Sequence, residues 1–137
     1  MERVDPDAIE GVDVEAMGRY LATTEVTYAV LFGSRVTGNQ SSDSDVDVGI
    51  RFPDRLEKTD RFRCRNRIDA HLQSFAAGFV DVSDIQSLPP TVAYRALRDG
   101  RLLYGDESAA EADFAAIERE YEATAKRRKR DRTEFLD

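Results

Sequence analysis

Residues 26–51, VTYAVLFGSRVTGNQSSDSDVDVGIR, hold two apolar, β-prone runs on either side of a polar loop. The first, Val26–Phe32, predicts a strand that ends in Gly33-Ser34. The second, Asp45–Phe52, predicts another, stopped by Pro53, because proline cannot donate to a strand ladder. A short helical piece and a polar loop are expected between them.

Asp45 and Asp47 lie two residues apart, which on a strand puts both on one face while Val46 and Val48 turn to the other. Two like charges that close repel, and holding both ionised favours a compensating dication. Carboxylate oxygens suit magnesium or manganese rather than zinc. Gly33 allows a sharp backbone turn and lets an anion approach main-chain amides, and Ser34 is a good N-cap for the short helical piece after it. Phosphate at such a helix start is physically cheap. A nucleoside triphosphate bridging the turn and the carboxylates through magnesium is the simplest ligand for both halves. The competing explanation is ordinary turn chemistry, which fits Ser41-Ser42-Asp43-Ser44. It fits Asp45 and Asp47 poorly, because they fall in a run that should be half-buried, where unpaired carboxylates are costly.

The rest of the chain predicts supporting structure. At 137 residues with 41% hydrophobic content it can bury one core, so a single domain over 1–137 is expected. The net charge of −7 argues against general nucleic-acid binding. Cys64 is the sole cysteine, excluding an internal disulfide and pointing to a reducing interior. The charged start MERVDPDAIE has no apolar signal region, and no run is long enough to span a bilayer, so a cytoplasmic location without membrane contact is expected.

Met1–Pro6 reads as a loose end, followed by a helix capped by Asp13 or Asp7 and reaching about Thr23, with Val14, Met17 and Leu21 at helical spacing. Cys64, Ile68, Leu72 and Phe75 predict a helix over about 56–77 that stops at Gly78. Arg61, Arg63, Arg65 and Arg67 cannot share one face of it and read mainly as solvated surface, with triphosphate or partner binding by one or two of them as the alternative. His71, the sole histidine, reads as a core-edge residue, leaving Ser–His and Cys–His mechanisms little to build on. Phe79–Gln86 predicts a third strand. Pro89-Pro90 open a helix that Gly100 closes, and Leu102–Tyr104 form a short strand. A last helix over about 108–132 is expected to be capped by Ser108 with Glu111 as a capping box, and to carry Phe114, Ile117 and Tyr121 on one face. It ends in KRRKRDR, residues 126–132, either a solvated helix end favoured by the dipole or a contact for an acidic partner or RNA, though no interleaved aromatics favour an RNA-stacking surface. The element order predicts an α+β fold with a small mixed β-sheet flanked by helices.

Gly33-Ser34, Arg35, Gly38, Ser44-Asp45-Val46-Asp47 and Val48-Gly49-Ile50 together resemble the signature of the DNA polymerase beta-like nucleotidyltransferase superfamily, in its minimal nucleotidyltransferase (MNT) form. Phe79-Val80-Asp81-Val82, Leu88-Pro89-Pro90 and residues 94–105 extend the likeness over about 26–105. The resemblance implies the polymerase beta-like fold and the transfer of AMP from ATP. It assigns Gly33, Ser34 and Arg35 to the phosphates and Asp45, Asp47 and Asp81 to Mg²⁺, with two ions expected and Mn²⁺ an alternative. Asp81 and Asp84 both offer a third carboxylate, but their spacing puts them on opposite faces of a strand, and Asp81 matches the family position. MNT proteins typically act as antitoxins that adenylylate a tyrosine of a HEPN-domain ribonuclease toxin. The resemblance therefore implies such a partner, with the final helix and its basic end as the contact. A non-catalytic antitoxin that masks its toxin, and a transferase acting on a small molecule, are the alternative functions.

Overall fold

The computed structural model describes residues 1–7, 9–33 and 45–136, with side chains apart from those at 128 and 131–136. Its elements in order are α1 (Val14–Leu21), β1 (Tyr28–Phe32), β2 (Val46–Arg51), α2 (Lys58–Leu72), β3 (Val80–Asp84), α3 (Pro90–Asp99), β4 (Arg101–Gly105) and α4 (Glu107–Leu136). The strands form one sheet in the order β3-β2-β1-β4. The β1 strand is antiparallel to both neighbours, while β2 and β3 run parallel, so the sheet is mixed, as expected.

Alternation along the strands divides the core in two. Ala29, Leu31, Val46, Val48, Ile50, Val80 and Val82 face Met17 and Leu21 of α1 and Ile68 and Leu72 of α2. Tyr28 and Val30 face the other way, against Ala93 and Leu97 of α3 and Ala110 of α4. Asp47, Gly49 and Arg51 of β2, and Asp81 and Ser83 of β3, share this second face by the period of two. The valine-alternating sequence of β2 therefore dictates that its aspartate leaves the first core altogether.

The helix ends show where local signals sufficed. Asp13, not Asp7, caps α1, accepting from the Ala16 N–H at 3.0 Å. Asp106 caps α4 in place of Ser108, accepting from the Ser108 and Ala109 N–H groups at 2.9 and 3.3 Å. Aspartate and serine are both good caps, and the close backbone turn at Gly105 (φ +99°) brings Asp106 into position first. The α4 helix runs on to Leu136 beyond the expected 132. At 30 residues it is about 45 Å long. Its inner half packs through Phe114 and Ile117 on the second core, and Tyr121 stacks on Tyr94 with ring centroids 4.0 Å apart. No helix among the described residues is long and apolar enough to cross a membrane.

The N-terminal residues are not loose. The Val4 N–H donates to the Leu102 carbonyl at 2.9 Å and the Leu102 N–H donates to the Glu2 carbonyl at 2.7 Å, so residues 2–4 cover the open edge of β4. The opposite edge, β3, is sealed by side chains of the α2 segment. Gln73 both donates to the Val80 carbonyl and accepts from its N–H, and Arg65 donates to the Val82 carbonyl at 2.8 Å. Occupied edge groups cannot template another strand. The same Gln73 ends the helix sooner than expected: α2 stops at Leu72, a 3-10 turn covers Gln73–Phe75, and Ala76 is already extended.

Candidate active site

The site is built where β1 leaves the sheet and β2 and β3 enter it. Asp47 sits opposite Phe32 of β1 on one side and opposite Asp81 of β3 on the other. In-register residues on neighbouring strands put side chains on the same face about 5 Å apart. The two carboxylates therefore stand side by side, with Asp45 exposed just before β2. Burial, and then the charges of Asp81 and Asp45, raise the Asp47 carboxyl above its ordinary value. Both other acidic residues expected at the site thus act electrostatically on Asp47.

Gly33 contributes more than a turn. Its φ is +86°, a backbone conformation that disfavours any Cβ, and a Cβ built there would lie 2.2 Å from Oδ2 of Asp47. The carboxylate occupies the space that a side chain at 33 would fill. Sequence reasoning assigned Gly33 to phosphate approach and missed this contact, which is set by the β1–β2 register and has no local signal. Ser34 and Arg35 lie outside the described residues.

Asp84 is separated from this group as the strand parity required. It is 8% exposed, faces the first core, and accepts from Nε of Arg61 at 2.8 Å and from the Gln86 N–H at 3.0 Å. Arg61 and Arg65, expected at the solvated surface, are instead structural: the first closes this buried ion pair, and the second binds the Val82 carbonyl and the Asn66 side chain. Arg63 and Arg67 are exposed as expected, and His71, expected at the core edge, is exposed too and stacks on Tyr20. Further along the second sheet face, Arg51 Nε and the Tyr28 hydroxyl both donate to Asp113, at 3.1 and 2.7 Å, tying α4 to the sheet. Burial and the neighbouring Asp113 hold the Tyr28 hydroxyl far above its usual range, so it stays a donor.

Among the described residues no group of three or more His, Cys, Asp or Glu is arranged as a ready cage for a metal ion. Magnesium asks for less, since it keeps waters and is held through one or two carboxylates together with substrate phosphates. An all-oxygen pair in which burial and the neighbouring charges already raise Asp47 fits such an ion.

Solved structures with this architecture support the fold. A chain of a toxin–antitoxin crystal structure with AMP-PNP matches with a TM-score of 0.71 at 19% identity, covering 92% of this chain and 100% of that one. The MntA–HepT toxin–antitoxin structure gives 0.64 at 17%, covering 90% and 97%. That of a tri-AMPylated Shewanella oneidensis HEPN toxin in complex with MNT antitoxin gives 0.62 at 15%, covering 90% and 99%. No curated protein sequence matches the chain. The "Polymerase beta, Nucleotidyltransferase" family matches residues 15–109, more than half of the chain and the whole of the sheet with its acidic pair. The chain belongs to the polymerase beta nucleotidyltransferase family.

Proposed function

We propose that this chain moves AMP from ATP onto a hydroxyl, most simply a tyrosine, of a partner HEPN-domain ribonuclease toxin, and so acts as its antitoxin. The observation that carries this proposal is the register pairing of Asp47 with Asp81 beside Gly33 in a nucleotidyltransferase sheet. The fold neighbours solved with AMP-PNP and with an AMPylated HEPN toxin support the choice of donor and acceptor.

Asp45, Asp47 and Asp81 would hold Mg²⁺, with Mn²⁺ as a substitute, and Gly33, Ser34 and Arg35 would receive the triphosphate. Bound magnesium would neutralise charge on the phosphates and the leaving pyrophosphate. The acceptor oxygen attacks the α-phosphorus, a new P–O bond forms, and the bond to the bridging oxygen breaks to release pyrophosphate. Asp81, exposed on the outer strand of the site, accepts the hydrogen bond of the incoming hydroxyl and orients it, with the proton passing to carboxylate or solvent. Positioning and charge neutralisation supply most of the rate, as in phosphoryl transfer generally. The exposed basic residues Lys126, Arg127 and Arg130 on α4 would draw in an acidic partner at longer range.

The test is the intact mass of a co-expressed HEPN partner after incubation with this protein, ATP and Mg²⁺, beside the Asp45→Asn, Asp47→Asn double variant. A gain in multiples of one AMP, lost in the variant, is the expected result. A toxin silenced without any mass change would replace transfer by steric masking.

A further inference from the structure

A groove of about 300 Å³ runs along the outer edge of β3, between that strand and α2. Asp81 and Ser83 line it on the strand side, and Lys58, Phe62 and Arg65 line it on the helix side. Its place is not incidental, because Asp81 belongs both to the acidic site and to this groove. We infer that this groove is the acceptor's seat: it takes an acidic, aromatic-flanked segment of the protein substrate and presents that segment's hydroxyl to Asp81. The inference rests on the proposed transferase reading and names its acceptor surface.

Two properties of the groove select this occupant. The first is exposed apolar surface. Phe62 is 61% exposed and Phe79 58%, the largest exposures among the described large hydrophobic side chains. Phe62 stands in the groove, and Phe79 lies just before β3, two residues from Asp81. A tyrosine placed against Asp81 in the groove would meet the Phe62 ring. Exposed aromatic side chains beside a polar rim are what a protein contact uses.

The second is charge. The chain carries −7 overall, yet the helix wall of the groove offers two cations. Lys58 is exposed and has no ion-pair partner among the described residues. Arg65 already binds the Val82 carbonyl, pairs with Asp69 at 3.9 Å and keeps its guanidinium 5.9 Å from the centroid of the Phe62 ring, which leaves Lys58 as the cation open to an incoming acidic group. An acidic group on the segment would pair with Lys58 at the helix wall while the segment's hydroxyl meets Asp81 on the strand wall. The edge of β3 is a poor template for an added strand, because Gln73 and Arg65 occupy the Val80 N–H and carbonyl and the Val82 carbonyl. The segment must therefore bind through side chains.

The full-length protein is tested with a fluorescein-labelled peptide carrying a tyrosine between glutamates and a counterpart carrying lysines, by anisotropy without ATP and by AMP transfer with ATP and Mg²⁺. Lys58→Glu and Phe62→Ser are the variants. Both positions are exposed, and a glutamate at the first residue of α2 suits the helix dipole, so folding is preserved. The wild type should bind the acidic peptide about fivefold more tightly than the basic one, the scale of an exposed charge pair. Lys58→Glu should erase or reverse that preference, Phe62→Ser should weaken both peptides, and ATP binding should be unchanged in either variant. Equal binding of the two peptides, or wild-type preference in Lys58→Glu, overturns the inference. Loss of ATP binding in Lys58→Glu overturns it too, by giving the groove to the triphosphate. Selective peptide binding without any AMP transfer would leave the groove standing and remove the transferase reading instead.

Discussion

Replacing Gly33 with alanine separates the placement of the acidic pair from the stability of the fold. The backbone at 33 holds φ at +86°, and an L-residue there costs about 1–2 kcal/mol. The added Cβ would sit 2.2 Å from Oδ2 and 3.1 Å from Cγ of Asp47. That obstacle is the far end of a rotatable side chain, so Asp47 swings aside, at about 1 kcal/mol for an off-rotamer χ. The sum, about 2–3 kcal/mol, should lower the melting temperature by about 8 °C in a chain of this size. To restore ordinary contact the carboxylate must retreat by more than an ångström, and a displacement of about 1 Å at a reacting centre costs about 100-fold in rate. Calorimetry and AMP transfer, measured below the melting point, check both figures. Gly105→Ala is the control: its φ is +99° and its Cβ would meet the Thr27 carbonyl oxygen at 2.3 Å, at the far end of β1 from the acidic pair. It should lose stability and keep its specific activity. Gly33→Ala protein that melts early but transfers AMP within about threefold of wild type would refute the reasoning, since ~1 Å of displacement should cost far more.

Asp47→Asn should raise the melting temperature of the metal-free protein while abolishing transfer, because it removes a desolvated charge repelled by Asp81 and Asp45. The folded carboxyl titrates above its usual 3.8, so the penalty is absent at lower pH and grows as pH rises past that value. The gain should therefore vanish in melts run below about pH 4, and a gain that persists there would contradict the electrostatic cause. Asp84→Asn should cost about 3 kcal/mol in denaturant unfolding, since it leaves Arg61 without its buried partner. Once folded it should transfer AMP normally, unlike Asp81→Asn, which should be stable and inactive.

What the sequence determined by itself was local. Val14, Met17 and Leu21 at helical spacing, proline at the start of α3 and the valines alternating with aspartates in β2 each act within a few residues, and the resulting elements stand where expected. Parity alone also separated Asp81 from Asp84. Only the tertiary structure decided the rest, because it turns on which strands meet and in what register. The parallel pairing of β2 with β3 sets Asp47 against Asp81, the β1–β2 register puts the Asp47 carboxylate over Gly33, and α2 brings Arg61 to Asp84 and Gln73 to Val80. Residues 2–4 find their place only once β4 presents an open edge to pair with. Most of these contacts join residues far apart in the chain, and the burial of two separate cores on a single sheet is what fixes them.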